Sequence, residues 1–282
     1  MKNMSFTNRL QLHQILPLLV LFVLVSCQSK PDFADREQNF DSGWRFQLGD
    51  VPGAETATFD DSQWRQLDLP HDWSIEDLPT KESKKQIGPF SENSEGKGAT
   101  GNVMGGTGWY RKTFTLDKSS AGKKVQILFD GVYMNSEVWI NGQSLGVHPY
   151  GYTPFYYDLT PHLNPSGEKN TLAVKVNNHG KNSRWYSGSG IYRHVDLIVT
   201  EKIHLPVWGI FVTTPEVSAE KALVKLNIKV INDTKAKGKL EITTHLISPE
   251  GQLKTEAKTT VLPFEDQSLD TEQIFELVNP AL

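Results

Sequence analysis

Leu172-Ala173-Val174-Lys175-Val176-Asn177 decides the fold class of this chain. Aliphatic side chains at every second position follow the period of a strand, in which alternate residues line one face. The spacing predicts a buried face of Leu172, Val174 and Val176 and a solvated face of Ala173, Lys175 and Asn177. Val195, Leu197 and Val199 repeat the pattern. So do Val224, Leu226, Ile228 and Val230, separated by Lys225, Asn227 and Lys229, and then Leu240, Ile242, Thr244 and Leu246. Asn141-Gly142 follows Val138-Trp139-Ile140. That dipeptide predicts a type I′ hairpin turn, because both residues tolerate positive φ. Helix-period segments are scarce. The chain reads as all-β, with strands separated by Gly, Pro, Asn and Asp turns.

Composition divides the chain near residue 200. Six of the seven tryptophans lie between Trp44 and Trp185, and only Trp208 lies beyond. Downstream the chain turns rich in Lys, Thr and Glu. This predicts one β-sandwich over 39–200 and a second, smaller one over 203–282. The second shows about four or five strands, whereas an immunoglobulin-like sandwich needs about seven. It is therefore expected to be truncated, with the chain stopping inside its second module.

Residues 1–27 read as targeting. Lys2 and Arg9 give a basic start, and no acid precedes Cys27. The apolar run Ile15 to Val25 is shorter than the roughly 20 residues of a membrane span, but suits a signal peptide. Leu24-Val25-Ser26-Cys27 resembles a bacterial lipobox, and Cys27 is the only cysteine. The expectation is export, removal of the signal, acylation of Cys27 and attachment to the membrane of the cell envelope through the lipid, with 28–38 as tether. A free thiol behind an ordinary secretory signal is the other reading. Either way no disulfide forms within the chain, and the fold rests on its core. The net charge is −4, and −6 without Lys2 and Arg9. A mildly acidic chain with no basic stripe excludes nucleic acid as the expected partner.

Several motifs lose their meaning in context. Gly96-Lys97-Gly98-Ala99-Thr100-Gly101 has the glycine spacing of a dinucleotide loop. It lacks the preceding strand and following helix that such a loop requires, so it reads as part of a long loop over 79–107. His71, His148, His162, His179, His194 and His204 show no paired ligand spacing, which predicts no metal site. No nucleophile elbow is present, and no cofactor is expected. Four segments pair aromatic rings with charged or amide groups: Leu69–Trp73, Gly108–Lys112, His148–Tyr152 and Asn182–Tyr186. Sugars bind to such combinations, with a ring face on an aromatic and hydroxyls on polar groups. An aromatic-rich core explains the same residues equally simply.

Together these segments resemble glycoside hydrolase family 2, in its β-galactosidase-like branch. The resemblance rests on Leu69-Pro70-His71-Asp72-Trp73 and Gly108-Trp109-Tyr110-Arg111-Lys112-Thr113-Phe114. It continues through Phe129-Asp130-Gly131-Val132-Tyr133, Val138–Gly142 and Gly151-Tyr152-Thr153-Pro154-Phe155, and ends on Asn182 to Arg193. It implies a jelly-roll, galactose-binding-like β-sandwich followed by an immunoglobulin-like β-sandwich. It also implies a barrel, encoded downstream, whose two glutamates hydrolyse a glycosidic bond with retention, their carboxyls about 5–5.5 Å apart. No residue of this chain matches those glutamates, so no catalytic residue is assigned, and the chain alone is expected to be inactive. By motif, Asp72, Trp73, Arg184 and Trp185 are the substrate-binding candidates, and Arg193 is expected to serve a structural ion pair or a strand end. The expected ligand is a carbohydrate, a β-galactoside or related glycan. Three roles stay open: the N-terminal portion of an exported glycosidase, a free-standing carbohydrate-binding lipoprotein, and a non-functional fragment.

Overall fold

The computed structural model describes residues 36–76, 86–87, 90–91, 94–181, 187–234, 236–255, 258–264 and 267–280. The signal segment, Cys27 and most of the tether lie outside these residues. The first group of strands runs β1 (Glu37–Asn39), β2 (Trp44–Leu48), β3 (Arg65–Leu67), β4 (Gln86–Ile87), β5 (Phe90–Ser91) and β6 (Gly106–Thr115). It continues with β7 (Lys124–Phe129), β8 (Ser136–Ile140), β9 (Gln143–His148), β10 (Phe155–Asp158), β11 (Lys169–Asn178) and β12 (Val195–Thr200). The second group comprises β13 (Ile203–His204), β14 (Ile210–Val217), β15 (Lys221–Asn232), β16 (Gly238–Thr244), β17 (Lys258–Phe264) and β18 (Ser268–Val278).

The first group builds a jelly-roll sandwich. A four-stranded sheet, β1-β12-β7-β10, faces a six-stranded sheet, β3-β2-β6-β11-β8-β9, while β4 and β5 pair only with each other. Alternate residues point into the space between the sheets. Leu172, Val174 and Val176 of β11 meet Val125, Ile127 and Phe129 of β7 in one continuous core that also holds Trp44, Trp73 and Tyr110. Asn141 and Gly142 carry φ of 52° and 81° and close the β8–β9 hairpin, with Ile140 opposite Gln143.

The outer face of the six-stranded sheet departs from the sequence expectation. Ala173 is 1% exposed, not solvated. The loop between β2 and β3 folds over this face and buries Ala173 with Ala54, Trp64, Trp109 and Trp139. The Trp109 and Trp139 rings stack at 5.3 Å. Arg111 ties the loop down: its Nε donates to Asp61 Oδ2 at 2.9 Å and its Nη1 to the Thr56 carbonyl at 3.0 Å. A buried guanidinium is tolerable because both charge and donors are matched. Alternation reports one buried face; it carries no information about a distant loop covering the other.

The second group forms a smaller immunoglobulin-like sandwich. Central β15 pairs with β13 and β14 along one edge and with β18 along the other, and β16 and β17 form a separate hairpin. Leu226, Ile228, Val230 and Phe275 make its core, with Leu240 and Ile242 of β16 packed against them. Six strands stand here among the described residues, against the four or five expected. β14 escapes periodicity because its residues are mostly exposed and a bulge interrupts it between Thr213 and Glu216. Lys124 joins the two groups, reaching Asp158 at 2.9 Å and Asp233 at 3.1 Å, and Trp208 meets Tyr156 edge-on at 5.5 Å.

Candidate functional site

The Leu69–Trp73 motif enters a loop that ends in a single 3-10 turn, Trp73–Ile75. Asp72 caps that turn. Its Oδ1 accepts from Ser74 N at 2.9 Å, Ser74 Oγ at 2.6 Å and Ser189 N at 2.8 Å. One carboxylate oxygen thus joins the 69–76 loop to the 187–191 segment. Backbone pairs extend the seam: His71 N donates to Ile191 O at 2.8 Å and Trp73 N to Ser189 O at 3.0 Å. Ser189 Oγ donates onward to Met104 O and receives Asn178 Nδ2, both at 2.8 Å.

Trp73 lies in the core. It is 3% exposed, its ring stacks on Phe46 at 5.8 Å, and its indole N–H donates to Gly105 O at 3.0 Å. No open ring face remains for a sugar, and here the core explanation of the aromatic motif describes the residue. Asp72 is half-buried, at the mouth of the same seam. Arg184 and Trp185 lie outside the described residues. Arg193 is exposed, and no ion pair to it stands among the described residues.

Glycine makes the seam possible. Gly190 has φ of 137°, and a Cβ there would sit 2.4 Å from Tyr110 Oη and 2.6 Å from His71 O. Only a residue without a side chain fits that backbone and that gap. The motif histidine also proves structural. His71 Nδ1 lies 2.7 Å from Tyr110 Oη, and its Nε2 lies 2.9 Å from Glu76 Oε1, which also pairs with Arg65. Burial lowers the His71 pKa, against the raising influence of Glu76. Burial raises Glu76, but hydrogen bonds from Arg65 and His71 outweigh it and hold the carboxyl below its usual range. His71 thus links a buried phenol to an ion pair, a role that neither its motif nor the spacing of the histidines revealed.

A second group of rings stands on the 148–155 loop. Tyr150 and Tyr152 are 56% and 48% exposed, with centroids 5.6 Å apart. Buried Tyr133 backs Tyr152 at 5.2 Å. Elsewhere, Lys97–Thr100 of the glycine-spaced motif form a short 3-10 turn with no α-helix after it, so the dinucleotide reading stays rejected. Among the described residues no cluster of three potential metal ligands occurs, and no helix is long and apolar enough to cross a membrane.

Comparison with known proteins places this geometry. Residues 38–201 match the model of "Glycosyl hydrolases family 2, sugar binding domain". A β-galactosidase of Bacteroides ovatus is 47% identical over 84% of this chain and 27% of its own length. A putative β-glucuronidase of Formosa agariphila is 38% identical over 83% of this chain and 21% of its own. A solved family 2 glycosyl hydrolase from Bacteroides cellulosilyticus superposes with a TM-score of 0.80 at 39% identity, covering 88% of this chain and 31% of that one. The chain therefore spans about a quarter of the length of the curated relatives it matches. The motifs at 69–73, 108–114 and 187–193 form one seam inside the matched region, and the chain belongs to glycosyl hydrolase family 2.

Proposed function

We propose that this chain is the sugar-binding portion of an exported β-galactosidase-type glycosidase. The family match over 38–201 carries the reading, and the relatives named for β-galactosidase support it. In this reading the sandwich binds and orients a glycan, and the catalytic carboxylates belong to a barrel further along the protein. The extra length of the relatives supports that division of labour. The Asp72 loop helps to shape a sugar subsite, with Asp72 acting through the seam it fixes, and by motif Arg184 and Trp185 are the other substrate-binding candidates. The protein is carried to the cell envelope and held there by acylated Cys27, as the 24–27 motif and the apolar run before it suggest.

Affinity electrophoresis through a gel containing a soluble β-galactan tests the binding role. The 282-residue chain should be retarded and should not turn over an aryl β-galactoside. Turnover that survives repurification overturns the division of labour. Labelling with a fatty-acid analogue tests the anchor: Cys27→Ser should abolish it, and unchanged labelling rules Cys27 out.

A further inference from the structure

A sugar stacks only on a ring whose face is open to solvent. Among the described residues of 36–200, Trp44, Trp64, Trp73, Trp109 and Trp139 are all at most 8% exposed. Among the residues of 36–200 whose side chains are described, the aromatic side chains that stand open are Tyr150, Tyr152 and Tyr156. Tyr156 is already met edge-on by Trp208. Tyr150 and Tyr152 remain, adjacent and presented together.

Their loop is held from several sides. Gly151 lies flat on the Tyr133 ring, where a Cβ would come within 2.2 Å of Cδ2. Tyr192 Oη donates to Gly151 O at 2.9 Å. Asn135 N donates to Pro149 O at 3.2 Å, and His148 stacks on Phe155 at 4.1 Å while its Nε2 meets Thr153 Oγ1 at 3.1 Å. Rings fixed in this way lose little freedom when a ligand lands on them. The rim is polar. Tyr192 and exposed Arg193 lie side by side over Gly131, whose Cβ position is 2.9 Å from the Tyr192 ring and 3.0 Å from Arg193 Cδ. Burial and then the phenols of Tyr133, Tyr192 and Tyr150 raise the Tyr152 hydroxyl above its ordinary range, so it stays a proton donor.

We propose that Tyr150 and Tyr152, with the Tyr192 hydroxyl and the Arg193 guanidinium at their rim, form a stacking site for a pyranose unit of a glycan. This deepens the sugar-binding reading above and rests on it. The open face of one tyrosine ring covers the apolar face of the sugar, the other ring, inclined at 67° to it, walls the sugar's edge, and the phenols and guanidinium take its hydroxyls. The site adjoins the Asp72 seam through the Tyr133–Gly190 backbone bridge, but it uses open rings where the tryptophan of that seam is sealed in the core.

The full chain is run through gels containing a soluble β-galactan and, separately, a soluble β-glucuronan. The double variant Tyr150→Ala/Tyr152→Ala should lose about tenfold or more in apparent affinity for the polymer that retards the unaltered chain. Tyr156→Ala should bind as the unaltered chain does. Full retention by the double variant, at an unchanged melting midpoint, overturns the platform and leaves the sugar-binding reading standing. Retardation of the unaltered chain by neither polymer overturns both. A second measurement needs no variant: saturating polymer should slow nitration of Tyr150 and Tyr152 by tetranitromethane. Equal nitration with and without the polymer overturns the platform.

Discussion

The two sandwiches of this chain use the same alternating pattern to different depth. In the first, both faces of the six-stranded sheet are covered, one by the opposing sheet and one by the Arg111-anchored loop. Its core holds Trp44, Tyr110 and Phe129 at 0% exposure. In the second, a single hairpin covers one face of β15 and β18, and the fully buried core reduces to Leu226, Ile228, Val230 and Phe275. Its edge strand β14 leaves Ile210, Phe211 and Val212 between 46% and 64% exposed. Buried apolar area scales the stabilisation, so the first sandwich has reserves that the second lacks.

The sharpest test deletes one large core ring from each. Trp44→Ala and Phe275→Ala should each cost about 3–5 kcal/mol. The consequences should differ. Phe275→Ala is expected to abolish hydrogen-exchange protection across 203–278 while β6, β7 and β11 stay protected. Trp44→Ala is expected to weaken protection throughout 37–200. Equal loss everywhere in both variants breaks the comparison, and the Lys124 and Tyr156 contacts would then couple the sandwiches into one cooperative unit.

Within the first sandwich the seam should be the most sensitive loop structure. Gly190→Ala places a methyl against Tyr110 Oη and His71 O at a φ that side chains rarely adopt. We expect a loss of about 2–4 kcal/mol in denaturant unfolding, because clash and backbone strain add. A loss below about 1 kcal/mol means that the 187–191 segment can shift freely. Asp72→Ala should cost less, about 1–3 kcal/mol, by stranding donors of Ser74 and Ser189. Asp72→Asn should recover part of that loss, since its amide oxygen can still accept from both residues. Failure of Asn to recover any stability argues that the charge of Asp72, not its hydrogen bonds, holds the seam.

Much of the fold was legible because burial of one sheet face writes a period of two into the sequence. β11, β12, β15 and β16 were read that way, and Asn141-Gly142 marked its turn. What the pattern could not convey was contact at long range. Nothing near Ala173 announces that Ala54 and Trp64 will cover it, and the exposed, bulged β14 leaves no periodic trace. The site divides similarly. The motif around Asp72 was found, but Trp73 and Tyr150 are both aromatics in loops beside polar residues. Only the packing of Gly105, Phe46 and Ser189 around one, and the exposure of more than half of the other, separates a core ring from an open one. The partners of His71 lie up to 39 positions away, beyond any local spacing rule.

The smallest expected effect concerns pH, and it too separates the sandwiches. In the first, His194 Nδ1 lies 2.6 Å from Asp41 Oδ2, while Asp41 Oδ1 accepts from Val195 N at 2.8 Å. The hydrogen bond to Asp41, and then its charge, raise His194 above its ordinary value of 6.5. Burial raises Asp41, but Val195 N, Asn39 and His194 outweigh it and hold the carboxyl below 3.8. A raised histidine stabilises the fold fully below its unfolded pKa, and that contribution fades as pH rises through the folded value. A lowered carboxyl contributes above its unfolded pKa and fades as pH falls through the folded one. The pair should therefore contribute most between about pH 4 and pH 6.5. His71 runs the other way: its pKa is lowered by burial, so its protonation opposes folding as the solution becomes acidic. The net profile mixes these terms, and the difference between the unaltered chain and His194→Gln isolates one. That difference should be present near pH 5.5, below about 1 kcal/mol because His194 is largely exposed, and should fade as pH rises through the raised folded-state value. Among the described residues of the second sandwich, Lys221–Glu216 and Lys225–Glu272 pair a lysine, not a histidine, with a carboxylate. Unfolding followed by tryptophan fluorescence reports mainly on 37–200, where Trp44, Trp64, Trp73, Trp109 and Trp139 lie. A His194→Gln difference that stays constant from pH 5.5 to 8 assigns the loss to packing, and the proposed contribution of the charged pair fails.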